Sequence, residues 1–538
     1  MDRVLTIIPA AGRGSRMLSL TENCAKSMVP ISSKPLISYL LDQLVEQGLK
    51  DVVIIVGYKK ETIIDYVDIC YKDLLNITYV EQTELLGLGH ALYETVLQVD
   101  LTPYSGIFVM LGDAVFNTNK IYNFDKSYIA CMDMPDYSRW CIAVEEDMKL
   151  KYLLDKPSEK PDRNLALVGA YYFDNVKLYR DSIIEAIKKD IKIRNEYQIS
   201  TAIEIYNRKE DIQIILLENG EWLDFGEYNE YNKNRKKINQ SRIFNNIKYK
   251  DDAITKSSAN NKIKIQREIM WYLAMPHSLR KYFPNLIDYS LEDTSPSYTI
   301  SYCESNTVQE MWLYSNFSME SWVKIFNNII EVIKEFKSCS NHNNINFYKF
   351  ITNNIRSRVN LDEFFSGDCI INDKEYDLLS LKEFFMRSME LYEYYWSNVE
   401  SYIVHGDMVF SNMMYSIVTD DIKLIDPRGD FNGNIIYGYT NYDIAKLAQC
   451  IVGDYDYIVN DLFYLSDDGY KFYLDKDDSF KESLLDLICK DYDKKEILFI
   501  TAIQFMTMIP LHSEKKSHQT LMRYKAIELL DRCKKEEE

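Results

Sequence analysis

Residues 4–17, Val-Leu-Thr-Ile-Ile-Pro-Ala-Ala-Gly-Arg-Gly-Ser-Arg-Met, carry the strongest fold signal in the first half of this chain. The short apolar run at its start predicts a buried strand. The glycine-rich turn that follows is small enough for backbone N–H groups to approach a phosphate closely, and the planar guanidinium of Arg16 can bridge phosphate oxygens. The same pattern also occurs in purely structural turns, so its interpretation depends on the segments around it.

Outward from this stretch, short apolar runs alternate with helical patterns. Strands are predicted at 4–9, 52–56 and 107–111, and a helix at 36–47, where apolar residues recur every three or four positions. Strand–helix–strand alternation predicts βαβ units. We therefore expect an α/β, Rossmann-like domain with a mostly parallel sheet.

A polar, charged stretch at 228–242 marks the end of this domain, so we expect one domain at 1–235 and a second at 240–538. The second opens with a strand-like segment that ends near Lys256. Its helical patterns lie at 322–336, 376–399, 440–452 and 497–533. This order predicts a β-rich lobe at about 240–305 and a helical lobe at about 306–538.

Composition narrows the class of protein. The chain has 538 residues and a formal net charge of -19, which argues against nucleic-acid binding because phosphate backbones call for a basic face. No apolar run approaches the ~20 residues that cross a bilayer, and the N-terminus lacks a signal-peptide pattern. The ten cysteines are scattered without metal-ligand spacing. We therefore expect a cytoplasmic protein with reduced thiols and no membrane partner.

Further segments follow the opening stretch in order along the first half. They are Lys26-Ser-Met-Val-Pro, the segment 81–91 with Gln82 and Gly87, the run 109–113 that ends in Asp113, Asp155-Lys156-Pro157, 168–173 with Gly169, 195–199 with Glu196, and Trp222-Leu-Asp224-Phe-Gly226. Together with residues 9–17 they resemble the sugar-1-phosphate nucleotidyltransferase family over about 225 residues.

The resemblance implies transfer of a nucleoside monophosphate to a phosphorylated metabolite, with release of pyrophosphate. It implies that Asp113 and Asp224 hold Mg²⁺, that Arg16 and Lys26 stabilise the departing pyrophosphate, and that Lys156 positions the acceptor. The residues implied in nucleotide binding are Ala11, Gly12, Gly14, Ser15, Gln82 and Gly87, and those implied in acceptor binding are Lys156, Gly169 and Glu196.

Two features depart from the family pattern. Ser200-Thr-Ala stands where the family has a threonine–aspartate pair, so the sugar pocket is expected to differ. The domain is also short and approaches the compact cytidylyltransferases that make CDP-choline. Gln82 and residues 86–91 instead resemble uridylyl and thymidylyl members. A pyrimidine nucleotide is expected, and the choice among CTP, UTP and dTTP stays open.

The second domain contains His405-Gly-Asp407, then Asn412, then Leu-Ile-Asp426. A carboxylate, an amide five residues later and a second carboxylate beyond a hairpin are groups that phosphoryl transfer from ATP uses. The pattern resembles the aminoglycoside phosphotransferase/choline kinase family, whose members are relatives of the protein kinases.

This second resemblance implies that Asp407 accepts the proton of an attacking hydroxyl and that Asn412 and Asp426 hold Mg²⁺ on ATP. Such a site also needs a strand lysine and a helix glutamate, for which Lys256 and Glu268 are the candidates. No clear glycine-rich loop precedes the lysine, and residues 241–246 are the best candidate for one.

Together the halves predict a bifunctional enzyme. The second half would phosphorylate a sugar or polyol with ATP, and the first would couple the product to a pyrimidine nucleotide, giving an activated precursor for cell-surface polysaccharide. One alternative is a choline kinase fused to a CTP:phosphocholine cytidylyltransferase. Another is a chain in which one half is a degenerate binding or regulatory module. Arg428 favours a neutral or anionic acceptor over choline, whose ammonium group would need an aromatic cage. Candidates for such a cage are Trp271, Trp312, Trp396, Tyr437 and Tyr439.

Overall fold

The computed structural model describes residues 3–22, 24–235, 237–238, 246–250, 252–258, 260–340, 343–466, 469–473 and 476–537. The chain divides into two compact units, Met1–Ile238 and Asn239–Glu538. The first is the N-terminal unit and the second is the C-terminal unit.

Strands and helices alternate through the N-terminal unit. Its described strands are β1 (Val4–Pro9), β2 (Pro30–Ile31), β3 (Lys34–Pro35), β4 (Asp51–Val56), β5 (Asn76–Glu81), β6 (Gly106–Met110), β7 (Ala114–Phe116), β8 (Tyr128–Asp133), β9 (Cys141–Glu146), β10 (Lys149–Asp155), β11 (Leu165–Phe173), β12 (Gln213–Leu217) and β13 (Trp222–Asp224). Its described helices are α1 (Leu36–Glu46), α2 (Lys60–Tyr71), α3 (Leu88–Gln98), α4 (Val176–Lys188), α5 (Ile199–Asn207) and α6 (Tyr228–Arg235). The strands and the helix predicted from the opening part of the chain are confirmed as β1, β4, β6 and α1.

The main sheet has the order β5-β4-β1-β6-β11-β8-β12-β10-β9. The first four strands pair in parallel, as do β8 and β12, whereas β11 runs antiparallel to β6 and β8, and β10 runs antiparallel to its neighbours. The prediction of a mostly parallel sheet is therefore wrong, because the described sheet is mixed. All nine residues of β11 are buried, and a fully buried run gives no sign of strand direction in the sequence.

The core of the N-terminal unit lies where this sheet meets α3, α4 and α5. Leu92, Ile183 and Ile203, one from each helix, are almost completely buried in a single apolar cluster with residues of β1, β4, β6 and β11. The burial of one helical face against a sheet is the main stabilising contribution of such a layer.

The polar stretch at 228–242 begins as a helix rather than as a linker. In α6, the hydroxyl of Tyr231 donates to the carbonyl oxygen of Pro30 (2.6 Å), and the side-chain amide of Asn234 donates to the carbonyl oxygen of Asp224 (2.8 Å). Both side chains are buried. Composition missed this helix because a short polar helix with two buried anchors has the same composition as a linker.

The C-terminal unit contains small sheets and many helices. Its described strands are β14 (Asn246–Lys250), β15 (Ala253–Ser257), β16 (Leu286–Ser290), β17 (Ser297–Ser301), β18 (Asn306–Thr307), β19 (Asn343–Ile345), β20 (Ile370–Ile371), β21 (Lys374–Glu375), β22 (Val399–Ile403), β23 (Met413–Tyr415), β24 (Ile422–Leu424), β25 (Tyr437–Gly438), β26 (Phe463–Ser466) and β27 (Gly469–Phe472). Its described helices are α7 (Lys262–Ala274), α8 (Val308–Tyr314), α9 (Met319–Ser338), α10 (Phe347–Arg358), α11 (Leu361–Phe364), α12 (Leu378–Trp396), α13 (Thr440–Ile451), α14 (Tyr455–Val459), α15 (Asp478–Ile488), α16 (Lys494–Met508) and α17 (Lys516–Lys535).

The C-terminal unit opens with an antiparallel sheet of order β14-β15-β17-β16. Of the candidate glycine-rich loop, residues 241–245 lie outside the described residues, and Asn246 begins β14. Lys256 on β15 is paired in register with Tyr298 on β17. Both side chains donate to Oε2 of Glu268 on α7, from Nζ at 2.8 Å and from the hydroxyl at 2.7 Å. These hydrogen bonds tie the helix to the sheet.

The helical part of this unit is built around α13, which is buried at all of its twelve positions and packs against α16. The helical patterns predicted at 322–336, 376–399 and 440–452 are confirmed as α9, α12 and α13. The pattern at 497–533 is interrupted by the 3₁₀ turn Ile509–His512. Pro510 lacks the N–H that would continue α16 into α17. None of the helices in the described part of the chain combines the length and apolarity needed to cross a bilayer.

A pair of glycines tests how β11 is packed. Gly169 has φ +88°, and a Cβ there would lie 2.8 Å from the side chain of Leu111, whereas Gly220 has φ +92° and open space around it. We expect Gly169→Ala to lower the free energy of unfolding by about 2–4 kcal/mol, since it adds overpacking to backbone strain. Gly220→Ala should cost about 1–2 kcal/mol through backbone strain alone. Thermal unfolding of both variants measures the difference. Equal losses of unfolding free energy would contradict the close packing of Gly169 against Leu111.

The buried lysine–glutamate pair gives a second prediction. Lys256→Met removes the buried cation 2.8 Å from Glu268, which is fully buried, and leaves it with the partly exposed Lys264 at 3.8 Å. Because an unpaired buried charge is costly, we expect a loss of about 3–5 kcal/mol in unfolding free energy. The double variant Lys256→Met/Glu268→Gln should recover part of it. Urea unfolding of the full chain compares these proteins with the single variant Glu268→Gln, and strictly additive losses would contradict the coupling.

Candidate functional site

The loops that follow β1 and β6 meet at one edge of the sheet, because these strands are parallel neighbours. A Cβ at Gly112 would lie 2.8 Å from the carbonyl oxygen of Pro9, so glycine allows the two loops to touch. The loops line a cavity of about 500 Å³. Its walls include the predicted residues Ala11, Gly12, Gly14, Ser15, Arg16, Lys26, Gln82, Gly87 and Asp113.

Gly14 gives Lys26 access to this cavity. Its backbone is left-handed, with φ +68°, and a Cβ there would lie 2.9 Å from the Cβ of Lys26. Nζ of Lys26 lies 2.5 Å from Oδ2 of Asp113. Burial disfavours the charged carboxylate of Asp113, but the positive charge of Lys26 outweighs burial and lowers the pKa of Asp113. Asp113 is therefore ionised at neutral pH.

Asp113 and Asp224 are held together by the antiparallel ribbon of β7 and β13. Asp224 is paired in register with Ala114, and the backbone N–H of Phe225 donates to the carbonyl oxygen of Asp113 at 3.0 Å. Burial and the negative charge of Asp113 raise the pKa of Asp224 to about 6. A divalent cation between the carboxylates would relieve this repulsion, and two carboxylates are the donors that Mg²⁺ prefers, so the residues fit the ion.

The loop at 81–91 packs against residues 195–198. The N–H of Gly89 donates to the carbonyl oxygen of Tyr197 (2.7 Å), and the N–H of Tyr197 donates to that of Leu86 (2.8 Å). The side-chain amide of Gln82 donates to the carbonyl oxygen of Gly87 at 3.2 Å, which ties it to the loop. Glu196, predicted on the acceptor side, lines the 500 Å³ cavity with Gln82.

A second cavity, of about 220 Å³, shares Arg16 and Asp113 with the first. Lys156 and Ser200 line it, and so does Asp224. The backbone N–H of Lys156 donates to the carbonyl oxygen of Trp140 at 2.9 Å. Ligands bound in the two cavities would therefore meet beside the carboxylate pair.

Gly169 supports the wall between these cavities. The N–H of Leu111 donates to the carbonyl oxygen of Gly169 at 2.8 Å, and the side chain of Leu111 fills the space that a Cβ would need. Leu111 lines both cavities, and Gly169 lies in β11 against the side chain of Leu111. The predicted acceptor contact is thus, in this structure, a packing position.

Sequence reasoning missed three residues around the second cavity. Glu227 accepts hydrogen bonds from Arg16 at 3.2 Å and from Arg139 at 2.5 Å, so it holds two guanidinium groups at the site. Trp140 lies edge-on against Trp222, with ring centroids 5.3 Å apart. Glu227 directly follows the Trp-Leu-Asp-Phe-Gly segment and could have been found from that position, but no motif points to Arg139 or Trp140.

In the C-terminal unit, β15, α7 and the turn after β24 converge on one ion-pair network. Nζ of Lys256 lies 2.8 Å from Oδ1 of Asp426 and 2.8 Å from Oε2 of Glu268. Burial disfavours the charged ammonium group, but the two carboxylates outweigh burial and raise the pKa of Lys256. The predicted lysine, glutamate and aspartate are therefore brought together as a charged cluster.

Asp407 and Asn412 form a second group beside this network. The side-chain amide of Asn412 donates to Oδ2 of Asp407 at 3.1 Å. Nζ of Lys446, on α13, lies 3.3 Å from the other carboxylate oxygen of Asp407. Burial disfavours the charged carboxylate, but Lys446 outweighs it and lowers the pKa of Asp407. The N–H of Ile425 donates to the carbonyl oxygen of Asn412 at 2.9 Å and so links the two groups.

A side chain of α13 holds the turn that contains Asp407 in place. Asp443 accepts the backbone N–H groups of His405 (2.8 Å) and Gly406 (2.7 Å), and burial raises the pKa of Asp443 to about 7. Lys446 lies one helical turn after Asp443 and therefore on the same face. The motifs of the sequence do not point to Lys446, although its spacing of three residues from Asp443 within the predicted helix 440–452 places both on one face.

Three of the five aromatic residues proposed for a cation cage lie in the core. Trp271, Trp312 and Trp396 are fully buried in the core. Arg428 instead lies over aromatic rings, with its guanidinium carbon 4.9 Å from the ring centre of Phe350 and 5.8 Å from that of Tyr442. Its side chain also donates to the hydroxyl of Tyr442 at 3.2 Å. These rings are not among the residues proposed for the cage, and they contact a cation of the protein itself.

The comparisons with known proteins concern the N-terminal unit. Residues 5–241 match the family model described as nucleotidyl transferase. The chain is similar to the UTP–glucose-1-phosphate uridylyltransferase AglF of Haloferax volcanii, with 34% identity over 38% of this chain and 83% of the relative. It is also similar to the bifunctional protein GlmU of Methanocaldococcus jannaschii, with 32% identity over 41% of this chain and 50% of the relative. Among solved structures, that of an apo UDP-glucose pyrophosphorylase matches with a TM-score of 0.39 and 23% identity, covering 44% of this chain and 98% of the other. Through its N-terminal unit, the chain belongs to the nucleotidyl transferase family.

Proposed function

We propose that the N-terminal unit transfers a pyrimidine nucleotidyl group from a nucleoside triphosphate to a sugar 1-phosphate and releases pyrophosphate. The observation that carries the proposal is the meeting of two cavities at Arg16 and Asp113. One cavity has the size and glycine-lined wall for a nucleotide, and the other offers Lys156 to the phosphate of an acceptor. UTP is the first nucleotide to test, since the Haloferax relative is named for its use.

In this reaction an oxygen of the acceptor phosphate attacks the α-phosphorus of the nucleotide, and the bond from that phosphorus to pyrophosphate breaks. No general base is required because a phosphate monoester is already ionised at neutral pH. Arg16 and Lys26 stabilise the negative charge of the leaving pyrophosphate, and Lys156 positions the acceptor. Asp113 and Asp224 would hold Mg²⁺, which when bound neutralises phosphate charge.

Substitutions of these residues separate catalysis from binding. Asp113→Asn and Asp224→Asn should each lower kcat by about 100-fold or more, because each removes negative charge that the proposed ion needs. Lys156→Met should raise the KM for the sugar phosphate and leave that for the nucleotide unchanged. Pyrophosphate release measures both effects, with Asp211→Asn, an exposed carboxylate, as the control.

The substrates are screened in the same assay. UTP, CTP and dTTP are each supplied with sugar 1-phosphates, polyol phosphates and phosphocholine. Activity with CTP and phosphocholine alone would replace the sugar assignment with the cytidylyltransferase alternative. Absence of pyrophosphate release from every combination would overturn the proposal.

We propose further that the C-terminal unit is an ATP-dependent phosphotransferase whose product is the acceptor of the N-terminal reaction. The cluster of Lys256 with Glu268 and Asp426, beside Asp407 and Asn412, supports this proposal. Lys256 would contact the ATP phosphates, and Asp426 and Asn412 would supply oxygen donors to Mg²⁺, which would neutralise phosphate charge when bound. The product of the two steps would be a nucleotide-activated precursor for surface polysaccharide.

The phosphotransfer step uses Asp407 and Lys446 together. The hydroxyl oxygen of the acceptor attacks the γ-phosphorus of ATP, the bond to the bridging oxygen of ADP breaks, and the hydroxyl proton passes to the carboxylate of Asp407. Lys446 keeps that carboxylate ionised before the acceptor binds. Asn412 holds it in place through its 3.1 Å hydrogen bond.

The positively charged side chains near Asp407 indicate which charge the acceptor of the phosphoryl group can carry. Burial and the positive charge of Arg428 lower the pKa of Arg358, and the charge of Arg428 also acts on Lys446. Arg428 therefore lies within electrostatic reach of two other cations, Arg358 and Lys446. They favour a neutral sugar or polyol, or an anionic hydroxyl compound, over the ammonium group of choline.

Two variants test whether the sites act separately. Asp407→Asn should lower ATP-dependent phosphorylation by about 100-fold or more and leave pyrophosphate release from supplied sugar 1-phosphate unchanged. Asp113→Asn should do the reverse. ADP production is measured with sugars, polyols, hydroxy acids and choline, with Lys490→Met as an exposed control. No ADP production with any acceptor would indicate a degenerate binding module.

A further inference from the structure

The turn between α16 and α17 brings three metal-binding side chains together. His512 ends the 3₁₀ turn Ile509–His512, Glu514 follows it, and His518 lies in the first turn of α17. Each offers one nitrogen or carboxylate oxygen, and these three atoms lie within 4.8 Å of one another. None of the three belongs to either candidate site described above.

A hydrogen bond to Asp461 orients the imidazole of His518 for metal binding. Nε2 of His518 lies 2.8 Å from Oδ1 of Asp461. A carboxylate only accepts hydrogen bonds, so Nε2 of His518 carries the hydrogen in this contact. This bond leaves the lone pair on Nδ1, which is buried and has no hydrogen-bond partner among the described residues. A carboxylate that orients a histidine in this way is typical of metal sites.

The other two residues give the cluster an opening to solvent. The side chain of His512 is 19% exposed and that of Glu514 is 50% exposed, and Nδ1 of His512 lies 3.5 Å from Oε1 of Glu514. An imidazole nitrogen of His512 and a carboxylate oxygen of Glu514 are both donors that a transition-metal ion accepts. An ion can therefore enter from the surface and meet a buried nitrogen.

We propose that His512, Glu514 and His518 bind a transition-metal ion, with Zn²⁺ as the best fit. Two imidazoles and a carboxylate are a ligand set that zinc uses, whereas Mg²⁺ prefers oxygen donors alone. Tetrahedral bonds of about 2.0–2.1 Å place ligand atoms about 3.4 Å apart. The His512–Glu514 pair already meets this spacing, and because all three ligand atoms lie within 4.8 Å of one another, no pair needs to close by more than about 1.4 Å on binding. A fourth position stays open to water or a ligand.

The proposal does not depend on the proposed phosphotransfer activity, because metal binding is measured directly.

Zinc binding by the full-length protein tests the proposal. The protein is stripped with a chelator and titrated with Zn²⁺, and bound metal is counted after dialysis by mass spectrometry. The wild type should hold one zinc ion that the double variant His512→Ala/Glu514→Gln does not hold. His277→Ala, which removes an exposed histidine, should bind zinc like the wild type.

A substitution outside the ligand set adds an independent readout. Asp461→Asn keeps all three ligands and should weaken zinc binding by about 10–100-fold, because it no longer fixes the tautomer of His518. The ligand variants change surface or partly exposed side chains, so their folding is checked by thermal unfolding without metal. Equal zinc affinity and stoichiometry in the wild type and in the double variant would overturn the proposal.

Discussion

The parallel pairing of β1 with β6 is the constraint on which the site of the N-terminal unit depends. It places the carboxyl ends of both strands at one edge, where Gly112 allows the two loops to touch. Lys26 reaches Asp113 only because of that meeting and because Gly14 leaves room for it. The ribbon of β7 and β13 then brings Asp224 to the same carboxylate. The strand pairing therefore determines where the loops meet, and the meeting of the loops determines where the charged side chains lie.

Both units balance carboxylates with lysines at their candidate sites. Lys26 faces Asp113 in one unit, and Lys256 faces Glu268 and Asp426 in the other. Such pairs are costly to desolvate and contribute little net stability compared with apolar packing. Their retention is consistent with the proposed reactions, in which phosphate and metal charges would take over part of this pairing.

The C-terminal unit depends on α13 in a comparable way. This helix is buried at every position, yet it presents Asp443 to the backbone of the His405 turn and Lys446 to Asp407. A rigid, buried helix is a precise support for such polar contacts, since its packing against α16 leaves it little freedom to shift. The turn and its carboxylate are therefore held by the core of the unit and not by neighbouring loops.

The local elements and the candidate residues can be predicted from the sequence alone. Apolar periodicity predicts β1, β4, β6, α1 and the long helices. The ordered motifs, through their resemblance to known families, indicate Arg16, Lys26, Asp113, Asp224 and the lysine–glutamate pair as candidates. The comparisons confirm the nucleotidyl transferase family for the N-terminal unit. This much is local information, because propensity and motif spacing lie along the chain.

Only the tertiary structure decided what is set by contacts between distant segments. The direction of β11 made the sheet mixed, and α6 proved to be a helix anchored on Pro30 and Asp224. The roles of Glu227, Arg139 and Lys446 arise from side chains that meet across long stretches of chain, and the cluster of His512, Glu514 and His518 depends on the turn at Pro510 and on Asp461. No periodicity encodes such meetings, because they depend on how the packed elements are arranged in space.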